Sequence, residues 1–275
     1  MHLAVVLLLA LFDPSTASSL PLSRRHSSAT VAERIAAAAA KLNPQSAKTR
    51  RAGTEVALGN AGGAFFVPIT LGSSNQVFEL QVDTGSSLTW VPSSSCNACS
   101  STLTSSGSSS SSFTRPKGFG SSTKCQCASL NSPFNPKSSS SYQQTSTAPT
   151  TITYGSGQVQ GILSTDTMTF ASNTLTAQTF LLATAEDSMT SASMAGVGDG
   201  LLGLAFQDGL DSTKHHETVL YSLASQNLLP NNIFSVWLNQ SSAPTKLVPV
   251  DPSGGRLILG GIDTTLYTGS LPSSP

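Results

Sequence analysis

Asp83-Thr84-Gly85-Ser86-Ser87 is the segment of this 275-residue chain whose residue types are best suited to chemistry. It places one carboxylate among a glycine and three hydroxyls. Gly85 can adopt backbone angles that other residues resist and can bring its N–H close to the carboxylate. The hydroxyls supply donors to either oxygen. A carboxylate held ionised in this way is suited to act as a general base on water. Other groupings invite a metal reading and do not sustain it. Cys96 and Cys99 form one C-x-x-C, but Cys125-Gln126-Cys127 has the wrong spacing for a zinc knuckle. His215 and His216 are adjacent, and adjacent residues on a helix do not face each other. Asn239-Gln240-Ser241 matches a glycosylation sequon.

The elements that must position Asp83 read as strands. Val77 to Val82 largely alternates apolar and polar residues, which predicts a half-buried strand with Asp83 at its end. Phe65 to Gly72 is its predicted hairpin partner, and Trp90-Val91-Pro92 follows. From about residue 62, short alternating runs separated by Gly, Ser, Asn and Pro predict an all-β domain. Residues 93–141 differ. Serine dominates, with runs at Ser105–Ser112 and Ser138–Ser141, so this span reads as a flexible surface insertion that the domain tolerates. Asp211-Ser212 looks like the cap of a surface helix to about Ala224, with His215 and His216 solvated on it.

The first 51 residues read as a leader. Leu3 to Phe12 is apolar but too short to span a membrane. Small residues follow at Ser15-Thr16-Ala17, so 1–17 reads as a secretory signal. Residues 18–51 hold seven of the fourteen basic residues against the single acid Glu33. Thr30 and Glu33 match a capping box ahead of a predicted helix over Val31–Leu42, and Arg50-Arg51 offers a dibasic processing site. This segment reads as a propeptide. Residues 52–275 keep 7 basic and 12 acidic residues, a net charge of −5 with histidine neutral. Nothing here has the basic face of a nucleic-acid binder, and no later stretch is apolar enough for a membrane span. In an oxidising compartment the four cysteines are expected to pair. Two bridges linking Cys96 and Cys99 to Cys125 and Cys127 would close the serine-rich excursion.

Further segments stand in a particular order: Ile152-Thr153-Tyr154-Gly155-Ser156-Gly157 with Gly161-Ile162-Leu163, then Asp199-Gly200-Leu201-Leu202-Gly203-Leu204-Ala205-Phe206. Phe234-Ser235-Val236-Trp237-Leu238 and Leu257-Ile258-Leu259-Gly260-Gly261-Ile262-Asp263 follow. With the Asp83 motif, this set resembles the pepsin-like aspartic proteases over about residues 62 to 271. The resemblance implies an all-β, closed barrel-like acid protease lobe at 52–275, one of the usual two. It implies a secreted aspartic endopeptidase with an acid optimum, made as a zymogen, extracellular or else vacuolar or lysosomal. It implies no cofactor and no metal, and a peptide or protein as substrate. Asp83 would be one of two catalytic aspartates, supported by Thr84, Gly85 and Ser86. Tyr154, Gly155 and Ser156 would form the flap, with the Tyr154 hydroxyl paired with Trp90, Gly155 and Gly157 giving the freedom that closure needs, and Leu201 lining an apolar pocket.

The family places a second aspartate in a carboxy-terminal lobe, expected as the intramolecular partner. No second Asp-Thr-Gly occurs here, and Asp263-Thr264-Thr265 reads as structural. The chain is therefore expected to be truncated before the second catalytic aspartate and inactive alone. A single lobe that binds peptides or blocks a protease without hydrolysis is the alternative. Pairing of two copies, each supplying Asp83, is a further one. A true single lobe would expose an apolar patch along Leu257 to Leu266.

Overall fold

The computed structural model describes residues 7–10, 53–61, 63–97, 127, 129, 131–155, 157–205, 217–239 and 251–268. Residues 18–51, Cys99, Cys125, Ser156, His215 and His216 lie outside them. The described elements are mostly strands, as the alternation in the sequence predicts. They fall into two compact units, one holding residues 1–67, 171–173 and 220–275 and the other 68–170 and 174–219.

The second unit positions the Asp83 motif. Its strands are β3 (Ala64–Leu71, from Pro68 onward), β4 (Gln76–Asp83), β5 (Trp90–Asn97), β6 (Gln143–Gln144), β7 (Thr150–Tyr154), β8 (Gly157–Phe170), β9 (Asn173–Glu186) and β10 (Gly200–Gly203). They run in the order β3-β4-β10-β5-β9-β8-β6. β8 returns to β3 at Thr70↔Thr169 and Leu71↔Met168, so the ring closes through only two residue pairs. β8 is long enough to change partners. It pairs β7 near its start, β6 at Ser164 and Thr165, and β3 near its end. A short helix, α1 (Ser188–Met194), follows β9.

The core of this unit is aromatic. Phe134 is fully buried, with ring centroids 6.2 Å from Phe78, 5.8 Å from Tyr142 and 5.7 Å from Phe180. Both flanks of the serine-rich span are thus built into the lobe. Ser93–Asn97 completes β5, and Phe134 N–H donates to Pro92 O at 2.8 Å. Asn135 caps a turn of 3₁₀ helix at Pro136–Ser138. Ser139 is buried, and Ser141 donates to the buried Asp166 at 2.6 Å. Serine lets chain of this kind pack tightly because each hydroxyl finds a partner close by.

In the first unit, β1 (Leu7–Ala10), β11 (Ile233–Leu238), β12 (Asp251–Leu259) and β2 (Thr54–Ala61) line up in that order, followed by the opening residues of β3. β1 lies inside the segment read as a secretory signal and pairs antiparallel with β11 from Ala10↔Ile233 to Leu7↔Val236. Helix α2 (Val219–Ser225) begins well after the predicted Asp211 cap, which lies outside the described residues. Leu257, Ile258 and Leu259 are buried, so they do not form the exposed patch a bare lobe was expected to show. Among the described residues no helix is long and apolar enough to cross a membrane.

Candidate active site

Asp83 ends β4, and β10 runs parallel beside it with Gly203 directly across from Asp83. Two further bonds lock this corner. Leu204 N–H donates to Asp83 O at 2.8 Å, and Ala205 N–H donates to Ser86 O at 2.9 Å. A Cβ on Gly203 would stand 2.6 Å from Ser87 C and 2.8 Å from Ser86 O. Only glycine lets β10 approach the loop this closely.

The carboxylate carries one donor on each oxygen. Gly85 N–H donates to Asp83 Oδ1 at 2.8 Å, and Ser86 Oγ donates to Oδ2 at 2.6 Å. Two bonds of this kind, one on each oxygen, fix the plane of the group. Asp83 is half-buried while Thr84 and Gly85 are exposed, so the held carboxylate stays open on one side.

Opposite it stands the β7–β8 hairpin. Tyr154 and Gly157 are its last cross-strand pair, with Gly155 exposed at the tip. Burial, above all, pushes the Tyr154 hydroxyl up to about 12; Trp90 and Ser86 draw it back, and the Asp83 carboxylate adds to the rise. Tyr154 therefore remains a neutral O–H donor throughout the acid and neutral range. Tyr154 Oη and Trp90 Nε1 are both enclosed and close enough to influence one another, short of full hydrogen-bond geometry. Trp90, 1% exposed, opens β5 and pairs with Leu201 of β10, which is itself buried.

Asp199, quoted in the sequence only as the start of a glycine-rich run, anchors the ring. It is fully buried and accepts four bonds: from Glu79 N–H (2.8 Å), Ser129 Oγ (2.6 Å), Asn131 N–H (2.7 Å) and Asn131 Nδ2 (2.7 Å). Four donors offset the desolvation of a buried carboxylate. In a chain only 10% charged, a carboxylate beside a glycine strand was the one signal available.

Glu79 suffers from the arrangement. Burial first, and then the Asp199 charge, raise it above the ordinary 4.5. A carboxyl raised in the fold holds its proton better folded than unfolded, so protonation favours folding. The benefit is complete below about 4.5 and is lost as pH rises through the raised value. Glu79→Gln, which mimics the protonated form, is therefore expected to raise the unfolding temperature near neutral pH and to lose that advantage at acid pH. Thermal melts of both proteins across this range check it; an advantage that does not vary with pH would remove Glu79 from the pH dependence.

The other sequence candidates separate. Cys96 and Cys127 form a disulfide, 31 residues apart in sequence, at the base of the serine-rich excursion. Asp263 turns back on its own loop, with Oδ1 accepting from Thr265 N–H at 2.9 Å and Thr265 Oγ1 at 2.6 Å. Asn239 is half-buried just past β11, and the rest of its sequon lies outside the described residues.

A β-ring whose strand end presents a doubly hydrogen-bonded aspartate beneath a tyrosine-bearing hairpin defines a lobe of the aspartic protease type. The sequence profile of the eukaryotic aspartyl protease family matches residues 64–275, and the chain belongs to that family. It is 33% identical over 225 residues to cathepsin D of Dictyostelium discoideum, covering 82% of this chain and 49% of that protein. It is 34% identical over 207 residues to pepsin II-2/3 of Oryctolagus cuniculus, covering 75% and 43% respectively. Candidapepsin-1 of Candida albicans (strain WO-1) is 30% identical over 232 residues, covering 84% and 50%. The chain thus spans about half the length of these curated relatives.

Proposed function

We propose that the chain is the amino-terminal, Asp83-bearing half of a secreted or vacuolar aspartic endopeptidase that cleaves peptides at acid pH. The observation that carries the reading is the Asp83 carboxylate, with a backbone donor on one oxygen, a serine donor on the other, and an open side. In this reading Asp83 forms a dyad with a second carboxyl supplied by residues beyond these 275. Carboxyls about 3 Å apart share one proton, because two charges that close cannot both persist. The ionised member takes a proton from water as its oxygen attacks the peptide carbonyl, and the protonated member gives its proton to the carbonyl oxygen. The tetrahedral adduct then collapses, breaking the C–N bond as a proton passes to the leaving nitrogen. Tyr154 covers the substrate, and Gly155 gives the hairpin tip its freedom. Leu201 forms the floor of an apolar subsite.

Dibasic cleavage at Arg50-Arg51 and loss of the basic leader from an acidic body complete the zymogen reading. Within these 275 residues there is a single Asp-Thr-Gly, which favours peptide binding without hydrolysis as the second reading for the chain by itself.

The test incubates the full-length protein, and separately this chain, with an unfolded polypeptide from about pH 3 to about pH 7. Hydrolysis by the full-length protein that is strongest at the acid end supports the proposal. Its absence in a protein carrying both carboxyls overturns it. Peptide retention without cleavage by this chain supports the second reading.

A further inference from the structure

We propose that Asp187 is a latch that holds the β7–β8 hairpin in place over Asp83, with Thr190 as its partner on helix α1. The inference deepens the reading of Tyr154 as a substrate cover and rests on it. A single carboxylate joins two elements that are weak on their own. Its Oδ1 accepts from Thr190 N–H at 2.8 Å, capping α1. Its Oδ2 accepts from Gln158 N–H at 2.9 Å, on the flap strand β8. The same contact is closed from the other direction. Asp187 N–H donates to Gln158 O at 3.1 Å, and Thr190 Oγ1 donates to the same oxygen at 3.4 Å.

Gly157 shows how close the approach is. Its φ is +149°, and a Cβ there would overlap Thr190 Oγ1 and stand 2.6 Å from Asp187 Oδ1. Glycine at 157 is what admits the carboxylate and the hydroxyl to the hairpin backbone. Gly157 is also the residue paired across the hairpin with Tyr154. The latch therefore grips the strand directly opposite the residue that covers Asp83, not some distant part of the stem.

Both elements need such a tether. β7 pairs only with β8 and has no buried residue along its length. β7 is therefore held to the ring through β8 alone. Helix α1 has seven residues, too few to persist without its cap and its packing. Position 187 therefore sets the hairpin's resting place and the energy needed to lift it, which makes Asp187 a positioning residue for the flap.

Hydrogen exchange of the whole chain tests the latch without calling on catalysis. Asp187→Ala is expected to speed exchange in 150–160 by about tenfold, since the side-chain bond to Gln158 N–H is lost together with the cap that holds α1 beside it, while β4 and β9 are unchanged. In a Trp237→Phe background Trp90 is the only tryptophan, and acrylamide should then quench it more readily in Asp187→Ala, as in a Tyr154→Ala control. Gly157→Ala attacks the latch from the hairpin side, by setting a Cβ against Thr190 Oγ1 and Asp187 Oδ1, and should give the same flap exchange. It also decides the matter if Asp187→Ala fails to fold. Faster exchange confined to 188–194, with the flap and Trp90 unmoved, would make Asp187 a helix cap only and overturn the proposal. In the full-length protein, kcat and KM should move together, as they do when closure is impaired. An inactive wild type with a latched flap would instead sink the protease reading and leave the latch standing.

Discussion

Asp83→Asn is expected to lower kcat of the full-length protein by roughly 10²–10⁴-fold, the usual worth of a positioned general base, while the fold survives. The amide is nearly the same size as the carboxylate, so β4, β10 and the loop between them need not shift. Its oxygen can still accept from Gly85 N–H, and Ser86 Oγ can rotate to accept from the new NH₂ where it formerly donated at 2.6 Å. What is lost is the charge and the ability to take a proton from water. KM should change little, because the loss falls on an interaction made in the transition state. A second readout needs no catalysis. The Asp83 charge is one cause of the high Tyr154 value, so the variant should titrate that tyrosine lower than about 12, visible as tyrosinate absorbance. Retained turnover would remove Asp83 from the mechanism. Lost turnover with an unmoved Tyr154 titration would place the hairpin farther from Asp83 than described above.

The sequence made the local part of this site legible and left its long-range part out of reach. Asp83 could be found because its partners are two and three residues away and because a strand-length alternation leads into it. The Gly200 to Gly203 segment was legible only through the motif order it shares with the family; that it is a strand running beside Asp83 comes from the structure. Nothing local says that Asp199 will be met by Ser129 and Asn131, about seventy residues earlier in the chain. Nothing in a serine-rich run says that Phe134 will join Phe78 and Phe180 in the core. Composition averages over such a run and hides the one residue that packs. Asp187 is an intermediate case. Asp187-Ser188-Met189-Thr190 has the form of a helix cap, and Thr190 does close it. The second oxygen of that carboxylate goes to Gln158, a choice made by the ring closure and not by the helix. A cap can be read from four residues; a latch requires both elements in place.

Removing the Cys96–Cys127 bridge is expected to cost about 3–4 kcal/mol of stability, the chain-entropy value for closing a loop of this length. The sequence between the two cysteines is rich in serine and poor in apolar residues, so its composition offers little apolar surface to offset its own freedom. The bridge instead confines the unfolded chain and holds the return segment next to Ser129 and Asn131, the residues that bind Asp199. Cys→Ser at both positions, with Cys99 and Cys125 also serine in variant and reference, isolates this one bridge. Urea titration should show a lower midpoint and a larger slope, because the freed unfolded state exposes more surface. The carboxylate of Glu186, fully buried, lies within 4.8 Å of both sulfurs. Serine keeps a hydroxyl beside it and alanine does not, so the alanine pair should fall further still. A loss below about 1 kcal/mol in the serine pair would mean that the excursion is already restrained when unfolded, and the entropic account would fail. A full loss with an unchanged slope would instead place the effect in the native state, in the packing of Glu186 and the Asp199 network around the bridge.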